Sequence, residues 1–178
     1  MATQSNNLTA DDVYEKGART QRIGLPEENP HLITKLIDFC YTSDYFDTKY
    51  TIDYGWEGQA YISKLHTNAE MHAMGERYGV QGLKELAVAK FETALEMEPS
   101  ESIPTQMITL IPLIYAGTPG TDRGMRDRIL APALAYSKQL SGLPGFKSMI
   151  AENIDFVTDV FQAMSVLNTI LPYREAWH

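Results

Sequence analysis

Three features of the sequence predict a mainly α-helical protein with at most one or two short strands. Apolar residues recur at helical spacing over about seven segments. Pro, Gly and Asn stand at the joints, where helices start and stop. Residues 65–91, LHTNAEMHAMGERYGVQGLKELAVAKF, carry two amphipathic patterns that meet at Tyr78-Gly79-Val80. So short a link makes an αα-hairpin.

The elements follow in order. Residues 1–12 are polar and expected to be disordered. One short candidate strand, Gln21-Arg22-Ile23-Gly24-Leu25, lies in the stretch after Val13. Asn29-Pro30 reads as a helix start, with Asn as cap and Pro at the first position. Leu32, Ile33, Leu36, Ile37, Phe39 and Cys40 continue that helix to about Tyr41. Residues 42–60, TSDYFDTKYTIDYGWEGQA, lack helical period and read as an irregular loop with room for a short hairpin. Their aromatics either pin the loop onto the core or form a contact patch, since Tyr and Trp are enriched at interfaces.

The next helix is predicted from Ile62 to Tyr78, with Ile62, Leu65, Ala69, Ala73 and Met74 on its apolar face. Gly79 ends it. Another runs from Val80 to about Glu96, with Leu83, Ala87, Phe91, Ala94 and Leu95 as its stripe. Pro99 interrupts the pattern. Ser102 is read as the cap of a helix with Pro104 in its first turn, and Pro112 should bend or break it. Gly117-Thr118-Pro119-Gly120 is a turn. Thr121 is read as the cap of a long helix from Asp122 to about Leu140, kinked at Pro132. Ser141-Gly142-Leu143-Pro144-Gly145 breaks the chain again. A short helix, Phe146 to about Ala151, and a longer one, Ile154 to Leu171, complete it.

Composition narrows the function. The chain has 178 residues, 44% hydrophobic, and a net charge of −8. That length suits one domain or one and a half, with a real core. An acidic surface repels phosphate backbones, so nucleic acid is not an expected partner. No run reaches the roughly 20 apolar residues that span a membrane. The opening MATQSNNLTADD has no basic region followed by an apolar one, so it is not read as a secretory signal, and cytoplasm or nucleus is expected. The single cysteine, Cys40, rules out an intramolecular disulfide and reads as a small buried hydrophobe.

Motifs for chemistry are missing from the sequence. It contains no glycine-rich phosphate loop, no His-Glu-x-x-His and no Gly-x-Ser-x-Gly. His66 and His72 lie about 120° apart on a helix and cannot share a face as i, i+4 ligands would. His66 and Glu70 are i, i+4 and read as a surface hydrogen bond. Arg123, Arg126 and Arg128 alternate with Asp122 and Asp127 and read as a salt-bridged helix face. No enzyme activity, metal or cofactor is expected.

Three separated segments resemble fungal BTB/POZ proteins. The first joins Tyr14-Glu15 to Ile23-Gly24-Leu25-Pro26-Glu27-Glu28-Asn29-Pro30 and then to Leu36 through Tyr45, LIDFCYTSDY. It is similar to a strand "I-x-L-x-E-D-x-P" followed by a helix ending "Y-T-G-D-Y". The second runs from Asn68-Ala69 to Phe91. The third is Ile114-Tyr115, Thr118-Pro119 and Asp122-Arg123-Gly124-Met125-Arg126-Asp127, similar to "V-Y-x-x-T-P-x-x-D-R-G-L-R-D" in the family's helical extension. Ser43, His72 and Gly75 depart from the usual Gly, Tyr and Ala. Gly75 should cost about 1 kcal/mol in mid-helix relative to Ala unless a neighbour packs closely there.

The resemblance implies a truncated BTB/POZ-like helical domain over residues 13–97 and a C-terminal helical extension over 98–178. Nothing upstream of Tyr14 resembles the family's opening hairpin and helix, so the usual dimer interface is expected to be missing and homodimerisation by that route is in doubt. The implied function is a non-catalytic protein-protein interaction module, an adaptor for a cullin ubiquitin ligase or a transcriptional complex. Its partner would be a protein, a cullin or another BTB protein. Carried over by motif, the contact residues would be Tyr41, Asp44 and Tyr45, with intramolecular packing the competing reading for both tyrosines. The alternative function is a structural helical subunit or truncated remnant, stable only with a partner.

Overall fold

The computed structural model describes residues 29–48, 50–53 and 59–170. These residues form eight helices and one two-stranded hairpin, so the protein is mainly α. The N-terminal stretch 1–12 and the candidate strand at 21–25 lie outside the described residues.

Helix α1, Pro30–Thr42, starts as its sequence predicts. Asn29 Oδ1 accepts from the His31 N–H at 3.0 Å, and Pro30 takes the first position, where a missing N–H costs nothing. It ends at Ser43, whose φ of 58° is left-handed and whose N–H donates to the Phe39 carbonyl. A side chain there costs roughly 1 kcal/mol that glycine would not incur.

Two short strands follow, β1 (Tyr50–Asp53) and β2 (Gln59–Ile62), paired antiparallel from Tyr50↔Ile62 to Asp53↔Gln59. Ile62 therefore ends a strand and does not open the next helix. The true cap is Ser63, buried and extended, whose hydroxyl accepts from the His66 N–H at 3.3 Å.

Helices α2 (Lys64–Arg77) and α3 (Gln81–Met97) make the predicted αα-hairpin. Gly79 has a φ of +66°, a conformation open to glycine without a steric penalty. The hairpin contributes to two cores. Met71, Met74, Leu83 and Ala87 pack with Leu32 of α1 and with Tyr45. Leu65, Ala69, Phe91 and Ala94 pack against the rest of the chain.

That larger core centres on α4, Ile103–Gly117. Met107, Leu110, Ile111 and Ile114 are all at most 1% exposed. Around them lie α5 (Gly124–Ala135), α6 (Ser137–Ser141), α7 (Phe146–Glu152) and α8 (Ile154–Ile170). Helix α4 runs unbroken through Pro112. Burying several large side chains, each contributing about 1.5–3 kcal/mol, outweighs the roughly 3 kcal/mol cost of an internal proline.

Three further expectations are corrected. Ser102 does stand at the N-cap position of α4, its carbonyl accepting the Gln106 N–H at 3.1 Å, but its hydroxyl makes no capping bond and donates to Glu98 Oε1 and the Pro99 carbonyl. The start of α5 is held by Asp122, not Thr121: Asp122 Oδ1 accepts from the Gly124 N–H at 2.9 Å. The long helix expected from Asp122 to Leu140 is two helices, divided at Tyr136, with Pro132 inside the first of them.

Candidate interaction surface

Apolar residues cover more than half the circumference of α1, because a helix turns about 100° per residue. Leu32, Ile33, Leu36 and Phe39 pack against α2 and α3. The remainder points outward. Ile37 is 50% exposed and Tyr41 87% exposed, one turn apart on the same ridge. Cys40 beside them is exposed too. The expectation of a buried cysteine is thus overturned: its apolar neighbours in sequence are split between the inner and outer sides of the helix.

The segment after α1 adds one more exposed apolar side chain, Phe46. Tyr45 turns inward and is 2% exposed. Its hydroxyl donates to Asn68 Oδ1 on α2 at 2.8 Å, and Asn68 Nδ2 donates to Asp47 Oδ2 at 3.0 Å. The Lys90 ammonium of α3 lies 5.1 Å from the Tyr45 ring centroid, within cation–π range. Burial, then the nearby Asp47 and Asp44 carboxylates, push the phenol pKa up, so the hydroxyl stays a neutral donor. With Tyr45 fixed inward, Phe46 faces out, 78% exposed, and its carbonyl accepts from Lys35 Nζ.

Of the three residues proposed from the sequence, Tyr41 is therefore open to a partner and Tyr45 is not. Tyr45 anchors the loop that displays Phe46. Asp44 sits at the rim, 2.8 Å from Lys90 Nζ, and that hydrogen bond holds its carboxyl below the usual pKa. Ile37, Cys40 and Phe46 were not among the proposed contacts. The signal for Ile37 and Cys40 lies in the width of the apolar arc on α1, and that for Phe46 among the aromatics of the loop that follows.

Two polar clusters lie away from this surface. The first ties α8 to α4 and α5. Arg126, 3% exposed, donates from Nε to Thr118 Oγ1 and from Nη2 to the carbonyls of Thr118 and Tyr115. Its guanidinium lies 4.5 Å from the Tyr115 ring centroid. Tyr115 in turn donates to Asp159 Oδ2 at 2.7 Å, and Arg123 Nη1 reaches both Asp159 oxygens. The salt-bridged face expected of the three arginines holds for Arg123 with Asp127 and for Arg128 with Glu92. Arg126 departs from it, being buried and bonded to two carbonyls and the Thr118 hydroxyl, with Asp155 of α8 at 3.3 Å its only carboxylate partner among the described residues.

The second cluster joins α2, α3 and the turn before α5. His72 Nε2 lies 3.5 Å from Asp122 Oδ2, which also pairs with Lys84 Nζ at 2.8 Å, and Lys84 reaches Glu76 as well. An imidazole beside a carboxylate is a pair used in general acid–base chemistry. Here the ring is 1% exposed and borders a shallow cleft between α3 and α5. Among the described residues, no group of three or more His, Cys, Asp or Glu side chains could hold a metal ion. Among them too, no helix is long and apolar enough to cross a membrane. Comparison with protein-family models, curated proteins and solved structures yields no match to this chain.

Proposed function

We propose that this chain is a non-catalytic protein-interaction module of BTB/POZ type, and that the outer side of α1 with Phe46 is its contact surface. The observation that supports it is the exposure of Ile37, Cys40, Tyr41 and Phe46 together on one helix and the loop that follows it. Contiguous exposed apolar side chains rimmed by charge mark interaction sites. Tyrosine is among the residues that carry the most binding energy in such sites. The motif resemblance favours a cullin scaffold or a transcriptional assembly as the class of partner.

Binding of the purified chain to a cullin N-terminal region, measured by calorimetry, tests the surface. Tyr41→Ala is expected to weaken it tenfold or more, about 1.4 kcal/mol, with near-ultraviolet circular dichroism unchanged. Affinity unaltered by both Tyr41→Ala and Phe46→Ala would sink the surface assignment.

One observation favours the second reading, a helical subunit that needs a partner to be stable. Ile154, Phe161, Met164 and Val166 of α8 are 46–66% exposed. Calorimetry and light scattering on the isolated chain separate the two. We expect cooperative unfolding from a single species. An aggregating chain with no heat-absorption peak would favour the dependent subunit.

A further inference from the structure

We propose that His72 makes the joint between the α2–α3 hairpin and the turn before α5 a proton-operated latch, closed around a neutral imidazole and opened by proton uptake. The ring is enclosed from three sides. From its own helix comes Glu76, one turn on; from α3 come Lys84 and Val88; from the turn come Asp122 and Gly124. Its Nε2 faces Asp122 Oδ2 at 3.5 Å. Its Nδ1 is buried and has no hydrogen-bond partner.

The charged ring carries a proton on both nitrogens, so Nδ1 becomes a donor with no acceptor in a buried site, and such a group is costly to leave unmade. Asp122 offers limited compensation, because Lys84 already occupies the same oxygen. Burial lowers the imidazole pKa; Asp122 and Glu76 pull it up, Lys84 pushes it down, and the balance falls below the ordinary 6.5.

The sign follows from linkage. An opened joint restores the ordinary value, so the open form binds the proton more tightly than the closed form. Stability of the closed joint is complete above pH ~6.5 and is lost progressively as pH falls below it. Within that window Asp122 and Lys84 keep their charge. Asp122 is pushed up by burial, but Lys84, the Gly124 N–H and His72 outweigh this and hold it below the ordinary 3.8. Lys84 is held above its ordinary 10.5 by its hydrogen bonds to Asp122 and Glu76.

His66 shows why the effect belongs to His72. Burial lowers its pKa too, but Nδ1 lies 2.9 Å from Ser63 Oγ and Nε2 lies 2.7 Å from Thr109 Oγ1. A hydroxyl can turn to accept from either nitrogen, so a charged His66 keeps both partners. What the latch releases is defined by Asp122, whose Oδ1 caps α5 through the Gly124 N–H. When the charged ring turns out to hydrate Nδ1, it no longer packs under Asp122 and Gly124, and the turn at 118–123 and the first turn of α5 loosen. The shallow cleft of about 360 Å³ between α3 and α5, lined by Lys84, Val88 and Arg128, then widens.

Hydrogen exchange on the full chain at about pH 7.5 and pH 5.5, corrected for intrinsic rates, tests this. Amides of 118–126 are expected to lose at least tenfold in protection at the lower pH, while those of Met107 to Ile114 hold. His72→Gln should remove this response and His66→Gln should keep it. Asp122→Asn, which retains the acceptor for Gly124 but not the charge facing the ring, should move the opening to higher pH. A turn equally protected at both values, or a response surviving in His72→Gln, overturns the latch. If His72→Gln does not fold, an imidazole titration of the unaltered chain decides: proton uptake at His72 without loss of protection in the turn overturns it equally.

Discussion

Replacing Arg126 with methionine is expected to destabilise the protein by about 3 kcal/mol or more, measured as a shift in the denaturant midpoint at constant slope. Methionine keeps much of the volume and removes every donor. The carbonyls of Tyr115 and Thr118 and the Thr118 hydroxyl would each lose a partner in a dry site. A buried acceptor left unmade costs about 1–3 kcal/mol. The cation over the Tyr115 ring is lost as well. Asp155 contributes little to the change, being an exposed carboxylate 3.3 Å away.

Arg126→Lys should recover only a fraction, because an ammonium cannot present the fork that spans Thr118 and Tyr115. Arg123→Met provides the contrast. Arg123 is itself 42% exposed, and the Tyr115 hydroxyl still donates to the buried Asp159 carboxylate when the arginine is gone, so its loss should cost less than that of Arg126 but more than that of a surface pair. Equal effects at the two positions would mean that water reaches Arg126.

The same two arginines show how far the sequence could be read. An arginine between aspartates suggests a solvated, paired face, and at i, i+4 Arg123 and Asp127 form that pair. Arg126 belongs to a different geometry. It lies on the buried side of α5 with Met125 and Ile129, and its bonds go to the end of α4, which no local spacing encodes.

Tyr41 and Tyr45 make the same point at the candidate site. They are the same residue type in one short segment, yet one is 87% and the other 2% exposed. Asn68, 23 residues further on, decides the difference by accepting the Tyr45 hydroxyl. Periodicity suffices for the α2–α3 hairpin and for most of the helices, which rest on neighbours within a turn or two, but not for the break at Tyr136 or the strand that ends at Ile62. Burial of a polar residue, or exposure of Cys40, depends on partners distant in the chain.

Gly75 carries the argument to an expected sign. Helix propensity alone favours Gly75→Ala by about 1 kcal/mol. The packing opposes it. A Cβ at 75 would stand 2.7 Å from Lys84 Cγ, 3.1 Å from the Lys84 amide nitrogen and 3.2 Å from the Val80 carbonyl. The Lys84 stem has little freedom to retreat, because its ammonium is tied to Asp122 and Glu76. The other two atoms are backbone at the start of α3, so relief requires moving that helix.

Overpacking of this kind costs about 1–3 kcal/mol, which exceeds the gain from propensity, and Gly75→Ala is expected to lower the melting temperature. Gly117→Ala meets a stiffer obstacle, the Ala73 Cβ at 2.7 Å, with no rotamer to yield on either side. It should cost as much or more, and Ala73→Gly in the same chain should recover most of that cost as a favourable coupling between the two positions. Were Gly75→Ala instead to stabilise the protein, α2 and α3 would have to sit further apart at the Tyr78–Val80 corner than these distances describe. Lys84 could then no longer reach both Glu76 and Asp122, and the cluster around His72 would lose the closure that makes proton uptake costly.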